Sequence, residues 1–211
     1  MNIRGIFTNE RTKKLLFCLL AALLGGCLPV LSLHPLYTEK DVIFQEKILG
    51  KWVDDHNNPE TIWQFSRVDE PKNAYKLLFS DQEGKKGVFI ANLVRLRSAE
   101  TSKSRLFLDI FPAELPWEIE DPNKVELPYN SLFLIPVHTF IKIDSIEPKL
   151  KMRLTDEEEM QKLLEEKPYA VEYTFVEDRL ILTASTKELQ NFILKYADDE
   201  RVFKRDIVLR R

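Results

Sequence analysis

Thr61-Ile62-Trp63-Gln64-Phe65-Ser66, then Tyr75-Lys76-Leu77-Leu78-Phe79, then the run from Val88 to Leu96 decide the fold. In the first, Trp63 and Phe65 fall on one face and Gln64 and Ser66 on the other, the period of two of a half-buried strand. The second places Tyr75, Leu77 and Phe79 together. Between the second and third, Asp81 to Gly87 carries Gly84 and Gly87 and reads as a hairpin turn. Val88 to Leu96 is apolar with little alternation, which predicts a strand covered on both faces for part of its length. Arg105–Phe111, His138–Asp144, Lys149–Leu154, Tyr169–Phe175 and Arg179–Ala184 continue the series, and a short strand opens at Gly50. Consecutive antiparallel strands joined by short turns favour a barrel or sandwich, and closing the sheet removes exposed edges. A barrel of eight or nine strands has room for its own side chains or for one small ligand.

Helices are fewer. Thr155-Asp156-Glu157-Glu158 reads as a capping box for a short helix through about Glu166, lying between late strands. Ser185-Thr186-Lys187-Glu188 is a second box, and its helix aligns Leu189, Phe192, Ile193 and Tyr196 in one apolar stripe. The tail from Asp198 is charged, with Val202, Phe203, Ile207 and Val208 as docking points. Val42 to Leu49 reads as a helical turn leading into Gly50-Lys51-Trp52. That Gly-x-Trp, entered from a turn and opening a β-rich chain, resembles the first motif of the lipocalins. The second lipocalin motif, Thr-Asp-Tyr, does not occur in the chain. The resemblance implies that Gly50 and Trp52 close one barrel end. The expected fold is therefore mainly β: an antiparallel lipocalin-like barrel over residues 42–211, with an amphipathic C-terminal helix and one short helix between late strands.

The N-terminus has a different character. Arg4, Arg11, Lys13 and Lys14 precede a ten-residue apolar run, Leu15 to Leu24, which ends in Gly25-Gly26-Cys27. Positive charge, a short apolar core and small residues are the three parts of a secretory signal. Leu24-Gly25-Gly26-Cys27 resembles the lipobox of bacterial lipoproteins. The resemblance implies thioether attachment of a diacylglyceryl group to Cys27, cleavage between Gly26 and Cys27, and acylation of the new amine, as by palmitate. Leu28 after the cysteine implies sorting to the outer membrane, facing the periplasm. Leu33-His34-Pro35-Leu36-Tyr37-Thr38 resembles the start of a family of uncharacterised bacterial lipoproteins. Residues 27–41, with Pro29 and Pro35, read as a lipidated tether. The competing reading is an uncleaved membrane helix over the uncharged stretch Leu15 to Leu33, long enough to span a bilayer.

Composition narrows function. The chain of 211 residues has 31 Lys+Arg and 34 Asp+Glu; residues 1–26 hold four of the former and one of the latter, which leaves 27 against 33, a net charge of −6. An acidic domain is a poor match for nucleic acid, whose binding rests on basic patches. Cys18 would leave with the signal and Cys27 would carry lipid, which excludes cysteine catalysis and thiolate metal sites.

Sites with chemistry are sparse. Asp54-Asp55-His56-Asn57-Asn58 offers metal donors, but these residues are also those of an exposed turn. His138 needs a carboxylate partner to act as a base, and Asp109 and Asp144 are the candidates. Pro112 to Pro136 is broken by five prolines, carries Trp117, Tyr129, Leu132 and Phe133, and is acidic through Glu114, Glu118, Glu120, Asp121 and Glu126. It is the candidate lid or binding edge. No cofactor motif is present. The expected function is a lipid-anchored, non-catalytic envelope protein that binds a small apolar ligand or an envelope protein. Trp63, Phe65, Tyr75, Leu77 and Phe79 would line the ligand cavity, and an envelope hydrolase using His138 is the enzymatic alternative.

Overall fold

The structure is a computed structural model that describes residues 29–55, 60–98, 102–113 and 135–211. In chain order the strands and helices are β1 (Leu31–Ser32), β2 (Val42–Ile43), β3 (Gly50–Asp54), β4 (Ile62–Arg67), β5 (Ala74–Ser80), β6 (Lys86–Arg97), β7 (Ser104–Pro112), β8 (Thr139–Ser145), β9 (Leu150–Thr155), α1 (Glu157–Glu166), β10 (Tyr173–Val176), β11 (Arg179–Leu182), α2 (Thr186–Lys195) and β12 (Phe203–Arg210). Short 3₁₀ turns cover Glu39–Asp41 and Glu46–Ile48. The Cys27 lipobox, His56 to Asn58, and the proline-rich segment from Glu114 to Leu134 lie outside the described residues.

Strands β3 to β9 form a meander of antiparallel neighbours, and β12 pairs with both β9 and β3. The sheet closes because β6 pairs with the whole of β7, from Phe89 opposite Pro112 to Arg97 opposite Ser104. The result is an eight-stranded antiparallel barrel of lipocalin-like form with two helices, the fold class expected from the alternating runs.

Four details differ from expectation. The charged tail is not a docking segment; it contains β12, the strand that closes the barrel. Lys204, Arg205 and Asp206 are exposed and mask the alternation, and a bulge between Phe203 and Arg205 shifts its phase. Phe203 therefore packs outside against Phe107, while Ile207 and Leu209 pack inside. The hairpin β10–β11 is not a barrel component. It forms a separate sheet with β1, which runs parallel to β11. Val42 to Leu49 is not one helical turn: β2 continues the β5 edge along β6 and the 3₁₀ turn follows. The cap of α1 is Asp156, whose side chain accepts the Glu159 N–H, while Thr155 Oγ1 accepts the N–H of Val30 at 3.0 Å.

The last contact belongs to a larger correction. Residues 27–41 were expected to be a tether, yet from Val30 onward they are part of the domain. Val30, Ser32 and Leu36 are fully buried. Ser32 and His138 exchange backbone hydrogen bonds, both 2.9 Å, and Leu36 N–H donates to Asp109 Oδ2 at 2.7 Å. Burying Val30 and Leu36 contributes roughly 1.5–3 kcal/mol each, which offsets the conformational entropy lost in ordering those two positions. A membrane helix reaching Leu33 is thereby excluded, because Leu31–Ser32 is a strand. Among the described residues no helix is long and apolar enough to cross a membrane.

Two cores follow from strands apolar on both faces. Leu93, Leu108, Ile141 and Met152 point into the barrel. Val94, Leu96, Phe107 and Phe140 point outward, under α1, α2 and β11, where Met160, Leu163, Leu180, Leu189, Phe192 and Ile193 cover them. Lys142 also faces outward and is nearly buried. Its Nζ donates to Ala197 O at 2.7 Å and to Asp198 Oδ1 at 3.1 Å, which fixes the end of α2 to the barrel wall. Arg105 and Lys142 together hold the Asp198 carboxyl below the usual carboxylate range, Arg105 first.

Candidate functional site

The barrel ends are unlike. Where β3 begins, the connections 68–73, 98–103 and 146–149 are short; at the other end β7 stops, β8 starts, and the 156–202 insertion leaves the barrel. The short-loop end is plugged by residues 44–49. Trp52, fully buried, donates its indole N–H to Ile48 O at 2.8 Å. Gln45 N–H donates to the Tyr75 hydroxyl at 2.7 Å, and that hydroxyl donates back to Gln45 O at 3.1 Å. Phe44 stacks on Tyr75 with centroids 4.7 Å apart, and the Arg67 guanidinium lies over Phe44 at 4.2 Å. Arg211 lies over Trp52 at 4.8 Å and donates to Lys47 O at 2.8 Å. Burial pushes the Tyr75 hydroxyl above its ordinary pKa, so it remains a donor at neutral pH. Gly50 begins β3 at φ +112°, a conformation that L side chains rarely adopt. It needs glycine for this backbone turn and not for space, since an added Cβ would meet nothing within 4 Å.

Trp63, Phe65, Tyr75 and Leu77 all face the barrel interior and are buried, and Phe79 packs against them partly exposed. Their rings lie in contact: Trp63 with Phe79 at 5.3 Å edge to face, Phe65 with Tyr75 at 6.2 Å, and Trp63 with Phe65 at 6.4 Å. Toward the long-loop end the packing opens. Phe79 pairs across the sheet with Gly87, and the Phe89 ring folds back over Gly87, where a Cβ would approach it to 2.5 Å. Phe79 and Phe89 are the partly exposed aromatic rim of that mouth. Phe44, Phe89 and Arg211 were missed by sequence reading. Phe89 lay inside a run with no visible phase, and Arg211 is far in sequence from the tryptophan it covers.

His138 finds its carboxylate in Asp109. The ring Nδ1 and Asp109 Oδ1 share a hydrogen bond of 2.6 Å, and Asp109 is completely buried. Burial pushes the Asp109 carboxyl up from its ordinary value, opposed by the His138 contact and the Leu36 N–H. The other candidate, Asp144, is taken by Arg153 in a two-pronged pair at 2.8 and 2.9 Å. Among the described residues the hydrogen-bond partner of the His138 ring is Asp109, and the ring packs beside Phe111 at 5.1 Å. This dyad sits on the outer barrel wall, under the segment that Asp109 also holds through Leu36. Asp55 pairs with Lys149 and Arg210. Among the described residues no group of three or more His, Cys, Asp or Glu is placed to hold a metal ion.

Two cavities are lined by described residues. One, about 750 Å³, runs between α2 and residues 168–173; the other, about 690 Å³, is bounded by Asp144, Pro148, Lys151 and Ile207. In comparisons with known proteins, no family model, no curated protein and no solved structure matches the chain.

Trp52→Ala should destabilise the domain by about 3–5 kcal/mol, the cost of emptying a buried large aromatic site. Urea unfolding followed by circular dichroism measures this, and a loss under about 1 kcal/mol would place Trp52 outside the core. Asp109→Leu strands the Leu36 N–H and the His138 ring, and a cost of about 3–5 kcal/mol is expected, as for breaking a buried pair. Asp109→Asn, which keeps an acceptor, should cost clearly less in the same measurement.

Proposed function

We propose that the protein is an envelope lipoprotein anchored through Cys27, whose barrel is a filled scaffold that binds another envelope protein. One observation carries the filled-barrel half of this reading. The interior aromatics contact one another ring to ring, and two of them, Trp52 and Tyr75, are hydrogen-bonded to the plug. Side chains with their contacts already satisfied leave little for a ligand held deep in the barrel. The outer surfaces and the proline-rich segment at the long-loop end are then the binding faces. The anchored half rests on the lipobox resemblance and on the docking of Val30, three residues after Cys27, which would hold the barrel within about 11 Å of the lipidated sulfur. Acylation would place this barrel at the outer membrane, facing the periplasm.

A second reading takes the partly exposed Phe79 and Phe89 rim as the mouth of a site for a small apolar ligand. Trp63, Phe65, Tyr75, Leu77 and Phe79 would then line it. The hydrolase reading is weaker, because the His138–Asp109 dyad serves a structural contact to Leu36.

Cys27→Ser should release the protein from membranes on fractionation, or leave it uncleaved; a wild-type protein soluble without detergent, or a mature mass retaining residues 1–26, overturns the anchor. A fluorescent fatty acid separates the two barrel readings. With a filled barrel no saturable binding appears at tens of micromolar, and Leu77→Trp costs about 1–3 kcal/mol by overpacking. With an open site the probe binds with micromolar affinity, about −8 kcal/mol, and Leu77→Trp abolishes it.

A further inference from the structure

The hairpin β10–β11 carries two exposed apolar residues next to its turn, Phe175 at 45% and Val176 at 54%. Isolated exposed hydrophobics are ordinary on protein surfaces. This pair is set apart by its place. β1 runs parallel to β11, with Leu31 opposite Ile181, and β10 pairs with the other edge of β11, with Phe175 opposite Leu180 and Val176 opposite Arg179. Extending the β1 register backward by two residues puts Pro29 beside Arg179, and Arg179 Nη2 donates to Pro29 O at 3.5 Å. Pro29 and Val176 therefore lie at the same end of one three-stranded sheet, two strand spacings apart, about 10 Å. Cys27 is two residues before Pro29, a reach of at most about 7 Å.

From this placement we propose that the tip of the β10–β11 hairpin is a second membrane contact, seating Phe175 and Val176 in the headgroup region of the bilayer that holds the Cys27 lipid. The inference rests on the anchored reading above. The interfacial layer is roughly 5–8 Å deep on each side of the hydrocarbon, which is the depth a hairpin tip can sample when its neighbour is anchored there. β10 is an edge strand, and bringing its tip to the membrane also fixes the barrel's orientation relative to the bilayer.

Charge around the tip sets the kind of bilayer. Glu177 and Asp178 form the turn, and Glu158, on the first turn of α1, is exposed. Arg179 is neutralised by Glu157 at 3.0 Å, while Lys162 and Lys204 pair with Glu159, Lys162 also with Glu158. The surroundings are acidic, so the contact is apolar and suits a zwitterionic surface; an anionic surface would repel it.

The test uses the full chain as processed and purified from membranes, reconstituted into phosphatidylcholine vesicles whose acyl chains carry a quencher near the headgroup. With Cys18 removed and Cys27 acylated, Val176→Cys supplies a single free thiol for an environment-sensitive fluorophore. Lys72→Cys, exposed on the β4–β5 turn at the plugged end, is the control. The label at 176 should lose fluorescence to the quencher while the label at 72 does not, and the loss should shrink when anionic lipid is added. The mass of the same preparation reports acylation. An acylated protein whose label at 176 is not quenched, or is quenched no more than that at 72, overturns the membrane contact and leaves the anchor standing. A mass without acyl chains overturns the anchor and the contact with it.

Discussion

The plug across one end of the barrel is the constraint on which the interior depends. A closed eight-stranded sheet has a lumen only wide enough for its own side chains or one small molecule, and what fills it is settled at the ends. Here residues 44–49 turn across the end, where Ile48 O accepts from Trp52 and Gln45 exchanges hydrogen bonds with the Tyr75 hydroxyl; these are the two largest fully buried interior residues. Each ring is thereby held at a fixed height, and Phe44, Arg67 and Arg211 cover them from outside. Polar atoms on large aromatics are costly to bury unless bonded. The plug meets that requirement with backbone groups of Gln45 and Ile48; Gln45 O serves twice, accepting the Tyr75 hydroxyl and the Ile48 N–H of the 3₁₀ turn.

A second constraint acts on the opposite side of the sheet. β6, β7 and β8 are apolar on both faces, so a bare barrel would expose Val94, Leu96, Phe107 and Phe140 to water. The insertion between β9 and β12 covers them, and it is fastened by charge as well as by packing. Lys142, in the wall, reaches the carbonyl of Ala197 and the carboxylate of Asp198. An amine that deep is tolerable only with such partners. The N-terminal segment is fastened over the same wall through Asp109, which accepts the Leu36 N–H at one oxygen and is hydrogen-bonded to His138 at the other. A histidine and a buried carboxylate in contact suggest catalysis, yet here the carboxylate's other oxygen is spent on holding a backbone.

That fastening joins the two ends of the protein's story. Because Val30 to Leu36 is packed onto the wall and Leu31–Ser32 adds a strand beside β11, the chain arrives at the domain next to the β10–β11 tip. Whatever lies before Pro29 is delivered to that spot. A flexible tether would have left the domain's orientation free; a docked one fixes which surface is nearest to Cys27.

Sequence alone determined the local things. Period-two alternation read strands at Thr61–Ser66 and Tyr75–Phe79, where the structure has β4 and β5, the unphased apolar run identified a strand covered on both faces, and Ser185 with Glu188 marked the start of α2. The inward direction of Trp63, Phe65, Tyr75, Leu77 and Phe79 followed from the same alternation. These features depend on neighbours a few residues apart, so their physics is written in a short window. Tertiary structure decided what depends on distant partners. Three consecutive charged residues in β12 hid a strand whose apolar positions have meaning only between β3 and β9, and a bulge broke its phase. Pro29 and Pro35 spoke for a tether until Thr155, His138 and Asp109, more than 70 residues away in sequence, supplied its hydrogen bonds. Asp109 over Asp144 as the partner of His138, and Arg211 over Trp52, were choices of the same kind. Register and closure bring such groups together, and no period in the sequence encodes which strand comes to lie beside which.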